Sequence, residues 1–299
     1  MTALCNLNGT ITAEAEARIP VLDRGFLFGD SVYEVLRTRG GELFAWREHL
    51  DRLRASAEAI GLELDLTDGQ IMQRVLETME LAENDEHYVR IVVTRGTGTM
   101  PNIALEAALE PPCWVLLVRP LPATSPTARL QVVERLRNDR RALDPATKSG
   151  NYLNNILALA EAKRHGATDC VFLNASGHAT EASTSNLFAL REGRVVTPPL
   201  DAGLLAGTTR AAILDFCRNR GQEPLEIDLT AQDLESAEEL WLTSSLRDVA
   251  PVTHLNGREL HGGGPGPFAA ELARDFCEWA DARARDTDGP AARQCAQGK

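Results

Sequence analysis

Lysine is almost missing from this chain. Of its 31 lysine and arginine residues, only Lys148, Lys163 and Lys299 are lysine, and the rest are arginine. Positive charge is also in deficit overall: the formal net charge is -12, and the arginines are interspersed with carboxylates. With no basic stripe, a nucleic-acid partner is excluded. No uninterrupted apolar run approaches the ~18 residues of a spanning helix. The opening MTALCNLNGT lacks the positive start and apolar block of a secretory signal. These two absences give the expectation of a cytoplasmic protein with no membrane partner. Six cysteines include no CxxC pair, and Cys113, Cys170 and Cys217 sit in apolar runs, where reduced core thiols are predicted. Six histidines show no HxxxH or HExxH spacing, so no metal site is expected.

What is present suits an ordinary globular chain. At 299 residues, 43% of them hydrophobic and 25% charged, it has room for one large or two medium α/β domains. The segment FGDSVYEVLRTRGGELFAW alternates apolar positions around Gly40-Gly41, which predicts a hairpin. In REHLDRLRASAEAIGL, Leu50, Leu53, Ala57 and Ile60 share one helical face and Gly61 marks the stop. A second helix is predicted near 68–82, followed by the strands HYVRIVVTRG and CWVLLVRP. RPLPATSPTA, at 119–128, has the composition of a linker. Beyond it come a strand (LQVVER), a helix from about Asn154 to His165, the strand DCVFLN, a hairpin around Glu192-Gly193, a helix opening at GTTRAAIL, a capping box at Thr230–Asp233 and the strand ELWLTSS. The organisation predicted is an N-terminal α/β domain at 1–118, a linker at 119–128, a C-terminal α/β domain at 129–285 that carries Lys148, and a polar, flexible tail at 286–299.

The scarcity of lysine directs attention to Lys148, in ATKSGNYLNN. An amine can lose its proton and attack a carbonyl to form a Schiff base, while a guanidinium stays charged. Lys299 is terminal, and Lys163 near a helix C-terminus is explained by the helix dipole. Lys148 is open to two readings, a surface lysine or a Schiff-base lysine. The second implies pyridoxal phosphate, which needs a phosphate cradle, a partner for the pyridinium nitrogen and an apolar surface against the ring. Gly207-Thr208-Thr209 at a helix start offers backbone N–H groups to an anion, and Thr243-Ser244-Ser245 at a strand end adds donors. Glu181, in a strand of small residues, suits the pyridinium nitrogen or else faces solvent.

Together KSGNYLNNILALAEAKRHGATDCVFLNASGHATEASTSNLFAL, LLAGTTRAAIL, LTSSLRDVAPV, VLDRGFLFGDSVYEVLRT and FAWREHLDRL resemble the class IV aminotransferases, from about Asn8 to about Arg258. The resemblance implies a two-domain α/β (α+β), fold-type IV enzyme holding pyridoxal 5'-phosphate at a domain interface, and a homodimer whose sites borrow a loop from the neighbour. Phe26 and Phe28 belong to that contact or to a core hairpin. It further implies that Lys148 is the Schiff-base lysine and the proton carrier. Arg52, Thr208, Thr209 and Ser245 would hold the phosphate, Glu181 would meet the ring nitrogen, and Leu205 would pack on the ring.

Within the family the motifs are mixed. Val32-Tyr33-Glu34-Val35 is similar to the D-amino acid aminotransferases, in which the tyrosine helps receive the substrate carboxylate, yet Met100-Pro101-Asn102 stands where those enzymes usually carry Arg-x-His. Arg90 and KSGNYLNNILA are similar to the branched-chain aminotransferases. Leu246 and Arg247 occupy positions where transaminases mostly have small residues. A cation must meet the substrate carboxylate, and the candidates are Arg90, Arg37 and Arg247, with Tyr33 and Leu246 beside them. The expected activity is transfer of an amino group between an amino acid and a 2-oxo acid such as 2-oxoglutarate or pyruvate, D-amino acid donors first and branched-chain L-amino acids second. An (R)-amine transaminase and an aminodeoxychorismate lyase are further alternatives.

Overall fold

The computed structural model describes residues 2–298 except residue 110, and it divides into two compact units. The first comprises 1–123, 147–151 and 280–299. Its sheet is antiparallel and six-stranded, built from β1 (Leu4–Leu7), β2 (Thr10–Ala13), β3 (Ser31–Arg39), β4 (Glu42–Leu43), β5 (His87–Thr94) and β6 (Cys113–Pro120) in the order β2-β1-β6-β5-β3-β4. Helix α1 (Arg24–Phe28) precedes β3, and α2 (Trp46–Ala59) and α3 (Asp68–Ala82) separate β4 from β5. The β3–β4 hairpin turns on Gly40 and Gly41, both at positive φ, as a two-residue primed turn requires. Strand alternation splits β3 between two environments. Val32 and Leu36 enter the core with Leu50, Leu53, Ile71 and Val75, while Tyr33, Val35 and Arg37 project from the opposite side. Helix α3 begins at a Thr67–Gln70 capping box.

The second unit comprises 124–146 and 152–279. Its strands are β7 (Ala128–Val132), β8 (Asp169–Val171), β9 (Asn186–Arg191), β10 (Arg194–Thr197), β11 (Leu225–Glu226), β12 (Glu239–Ser244), β13 (Asp248–Leu255) and β14 (Arg258–Glu259). They form a mixed sheet ordered β11-β10-β9-β12-β13-β7-β8, with β14 pairing β13. Around it run α4 (Leu153–Arg164), α5 (Thr208–Asn219), α6 (Ala231–Ser236) and most of α7 (Pro267–Arg283). The central strands β9, β12 and β13 are buried at nearly every residue, so both faces are covered. Leu187, Leu240, Leu242 and Val252 form the middle of that core.

Three sequence expectations differ from the structure. Residues 119 and 120 continue β6 and Ala128 already lies in β7, so the proline-rich linker is shorter than its composition suggested; Pro120 is tolerated as a last strand residue. Residues 147–151, with Lys148, belong to the first unit, because their backbone pairs with β3. Within the predicted tail, the described residues 286–298 are not frayed, since they contain α8 (Gly289–Ala296), with Ala292 in the first unit's core, and residue 299 lies outside the described residues. Asp288 explains this order. Helix α2 starts at Ala45 without a side-chain cap of its own, and Asp288 supplies one: its Oδ2 accepts the Ala45 N–H at 2.8 Å, and its carbonyl accepts Trp46 Nε1–H at 3.0 Å. Arg293 pairs with Glu42 beside it.

Candidate active site

In the first unit, Lys148 is stitched to β3 and α2 through its backbone. Its carbonyl accepts the Tyr33 N–H at 3.0 Å, Gly150 N–H donates to the Ser31 carbonyl at 2.8 Å, and the Lys148 N–H donates to Ser56 Oγ at 3.1 Å. A Cβ on Gly150 would strike Ser31 Oγ, which is why the KSGN segment needs a glycine there. The Lys148 side chain is half-buried. Its Nζ lies 3.5 Å from Tyr33 Oη and 4.5 Å from the ring centroid. On the neighbouring strand, the Arg90 guanidinium sits 4.0 Å from the same ring centroid. Tyr33 therefore takes two cations against one ring, each held by the ring's quadrupole. Arg37, on the same side of β3, bends back so that Nε donates to the Thr38 carbonyl at 3.1 Å.

Glu34 points away from Tyr33, toward α2, and is fully buried. Arg52 Nε donates to Glu34 Oε1 at 2.7 Å, Arg52 NH2 donates to Oε2 at 2.7 Å, and His49 Nδ1 lies 2.7 Å from Oε2. Burial alone would raise the Glu34 carboxyl, but the charge and hydrogen bonds of Arg52, aided by His49, hold it far below the usual carboxylate range. His49 is pushed below its ordinary value by burial first and by the Arg52 and Lys148 charges, against the pull of Glu34. The pair is thus a carboxylate and a neutral imidazole that donates from Nδ1.

In the second unit, Glu181 is buried and has fixed partners. Arg137 Nε donates to Oε1 at 2.8 Å, and the Leu205 backbone N–H donates to Oε2 at 3.1 Å. Two residues beyond Leu205, Gly207 opens α5. A Cβ there would overlap Asn186 Oδ1, and Asn186 in turn donates from Nδ2 to the Leu205 carbonyl at 2.9 Å. Glycine brings no capping side chain, so the start of α5 presents backbone N–H groups with the buried Thr208 and Thr209. Ser245, Leu246 and Arg247 form the three-residue loop between β12 and β13. Arg247 turns to neither solvent nor an open cleft: NH2 donates to Asp169 Oδ2 at 2.9 Å and to Ser185 Oγ at 2.7 Å. Thr243 Oγ1, two residues before Ser245, is buried with no hydrogen-bond partner among the described residues.

With this geometry in hand, the chain can be compared with known proteins. Residues 31–255 match the family model "Amino-transferase class IV". This chain belongs to the class IV aminotransferases. A protein of Methanocaldococcus jannaschii, provisionally named a branched-chain-amino-acid aminotransferase, is 33% identical over 274 residues, 90% of this chain and 94% of that protein. The D-alanine aminotransferase of Bacillus licheniformis is 30% identical over 89% of this chain and 93% of its own length. Among solved structures, the branched-chain aminotransferase of Thermoproteus uzoniensis with norvaline has a TM-score of 0.86 at 27% identity, covering 95% of this chain and 96% of that one. The T.th. branched-chain amino acid aminotransferase, complexed with N-(5'-phosphopyridoxyl)-L-glutamate, has a TM-score of 0.87 at 25% identity and covers 95% of each chain. The fold is that of the fold-type IV family, and this class IV aminotransferase is a pyridoxal-phosphate-dependent enzyme.

The residues present fit that cofactor. Taken by itself, the first unit offers an amine on Lys148; the second, by itself, offers a buried carboxylate on Glu181, a helix start that only glycine permits and, two residues before Ser245, a Thr243 hydroxyl with no partner among the described residues. Sequence reasoning missed Glu34, His49, Arg137, Asn186 and Asp169. Glu34 carried a readable signal, a charged residue at a core-facing position of an alternating strand. Arg137 carried none, lying in the polar run RLRNDRR.

Proposed function

We infer that this class IV aminotransferase moves an amino group between an amino acid and a 2-oxo acid such as 2-oxoglutarate or pyruvate, with D-amino acids as the preferred donors. The observation that carries the reading is the Lys148 amine held at Tyr33 Oη beside Arg90. Pyridoxal phosphate, when bound, supplies the carbonyl that takes the amino group and the ring that accepts electrons. Lys148 binds it and carries the proton to and from the substrate Cα. Glu181, held in place by Arg137 and the Leu205 N–H, meets the ring nitrogen and keeps it protonated, and Leu205 packs on the ring. Arg52, aimed by Glu34, holds the phosphate together with Thr208, Thr209 and Ser245. Arg90, then Arg37, receives the substrate carboxylate, and Tyr33 orients it. Because Arg247 is engaged by Asp169, it takes no part in that contact.

Tyr33 favours D-amino acid donors, by its likeness to the motif of those enzymes. A branched-chain L-amino acid donor is the second reading, favoured by Arg90 and by the names of the Methanocaldococcus jannaschii and Thermoproteus uzoniensis relatives. The protein acts as a cytoplasmic homodimer in this reading. Phe26 (65% exposed) and Ile103 (81%) in the first unit, and Leu153 (66%) and Ile156 (58%) in the second, are large apolar side chains that a second copy would cover. Among the described residues no helix is long and apolar enough to cross a membrane. The test is visible absorption of the purified protein with pyridoxal phosphate, followed by D-alanine and L-leucine in separate cuvettes. Bleaching of the cofactor band by D-alanine alone supports the first reading, and bleaching by L-leucine alone supports the second. A protein that develops no band would overturn both.

A further inference from the structure

We propose that Asp169 is a positioning residue of the cofactor site: through Arg247 it fixes the Ser245–Arg247 loop against the Glu181–Asn186 segment, so that Arg247 is a strut and not a receptor for substrate. The inference rests on the transaminase reading above.

Asp169 opens β8 and is 3% exposed. Both of its carboxylate oxygens are engaged within the unit. Oδ1 accepts the N–H of Cys170 at 2.9 Å and of Ser183 at 3.0 Å, while Oδ2 accepts Arg247 NH2 at 2.9 Å. The Ser183 bond pins the turn between Glu181 and Asn186, whose backbones bridge each other. That turn is closed by Ala182 N–H to the Ser185 carbonyl at 2.8 Å and held from α4 by Asn155 Nδ2, which donates to the Ser183 carbonyl at 2.8 Å. Glu181 and Asn186 are the two residues that the site depends on here: one meets Leu205 N–H, and the other sits where a side chain on Gly207 would be.

From the other side, the single NH2 nitrogen of Arg247 bridges Asp169 and Ser185 Oγ, and the Arg247 N–H donates to Ser244 Oγ at 3.4 Å. Ser244 pairs with Asp248 across the hairpin, and Asp248 adopts φ +55°, a left-handed conformation unusual for a residue with a side chain. Such strain persists where surrounding contacts over-determine the backbone. Here the contacts on both sides of the loop do so, and Ser245 and Leu246 are held between two anchored neighbours. A charge-assisted pair with side chains 17% and 4% exposed is a costly way to fill space, but it sets register between two segments that are distant in sequence. Lysine is a poor replacement here even though one nitrogen makes both contacts, since its compact ammonium is more strongly hydrated than a guanidinium and costs more to bury.

The experiment compares Arg247→Lys, Asp169→Asn and the double variant Asp169→Asn/Arg247→Met with the parent chain. It measures the dissociation constant for pyridoxal phosphate on the cofactor-free protein, then kcat and KM for the donor, with melting curves alongside. Each single variant is expected to bind the cofactor roughly tenfold more weakly, as loss of one charged hydrogen bond implies. The double variant should be little worse than the worse single, because both remove the same contact. Three results would overturn the proposal: additive losses in the double variant, lower melting with unchanged cofactor affinity in both singles, or a raised KM for amino acids in Arg247→Lys with cofactor affinity intact. A parent chain that fails to bind pyridoxal phosphate sinks the transaminase reading itself, and that is scored before any variant.

Discussion

Replacing Glu34 with Gln tests the buried assembly behind the candidate site. The substitution keeps the side-chain shape and one carbonyl acceptor but removes the charge that meets both Arg52 nitrogens and His49. A hydrogen bond to a charged group is worth ~1.5–3 kcal/mol, and breaking a buried ion pair costs ~3–5 kcal/mol. Because glutamine retains part of the network, a loss of about 3 kcal/mol at pH 7 is expected. At ~2–4 °C per kcal/mol for a domain of this size, the first unit should melt roughly 6–12 °C lower. The pH dependence has a definite sign. Glu34 is depressed in the fold, so its contribution is present above its ordinary value of 4.5 and is lost as pH falls through the lower folded value. His49 is also depressed from 6.5, and its contribution is likewise lost as pH falls below that value; the variant lacks the Glu34 charge that pulls His49 upward, so this loss is no smaller there and does not close the gap. The melting gap between parent and Glu34→Gln should therefore stay wide from pH 8 to about 5 and narrow below about 4.5. Thermal unfolding followed by circular dichroism across that range measures it. Equal melting at pH 7, or a gap that does not narrow in acid, would refute the reasoning.

Three further perturbations follow from the same geometry. Lys148→Ala should abolish turnover while leaving the far-ultraviolet circular dichroism spectrum unchanged, and measurable turnover in that chain would remove the lysine from the chemistry. Gly207→Ala forces a methyl into Asn186 Oδ1 and should cost ~1–3 kcal/mol of stability along with cofactor affinity; an alanine variant that saturates at the parent's pyridoxal phosphate concentration would show that the α5 start is not the cradle. Asp288, raised above the ordinary carboxylate value chiefly by burial, contributes less to stability as pH rises through its folded value. Asp288→Asn should thus melt close to the parent at pH 7, whereas Asp288→Ala loses the α2 cap at about 1 kcal/mol; identical early melting of both variants would discard the capping role.

What was legible in the sequence was local. The second helix near 68–82, the Thr230–Asp233 capping box and the Gly40-Gly41 and Glu192-Gly193 turns are set by bonds among residues a few positions apart, and each stands where it was expected. What was not legible depends on partners far away in the chain. The order of 286–298 comes from Asp288 meeting Ala45, 243 positions earlier. The grouping of Lys148 with the first unit comes from its bond to Tyr33, 115 positions away. Arg247 left a choice between carboxylate clamp and solvent in the sequence, and the structure gave a third answer, Asp169, 78 positions distant.

That third answer bears on substrate recognition. A site for amino and 2-oxo acids must pair the incoming carboxylate with a cation, because an unpaired charge in a dry pocket is costly. In a chain rich in arginine, the question is which guanidinium remains uncommitted. Arg52 is forked on Glu34, Arg137 is paired with Glu181, and Arg247 with Asp169. Arg37 donates to a backbone carbonyl. Arg90, stacked on Tyr33 beside the Lys148 amine, has no carboxylate partner among the described residues. A cation held by a ring face keeps its donors for a ligand, as a cation held by a carboxylate does not. Arg90→Met should therefore raise KM for both the amino acid and the 2-oxo acid by roughly tenfold or more, with a smaller effect on a primary-amine donor that has no carboxylate to place. Steady-state kinetics with D-alanine, pyruvate and an (R)-amine separate the two effects. Equal losses on all three substrates would mean that Arg90 supports Tyr33 and does not bind carboxylate.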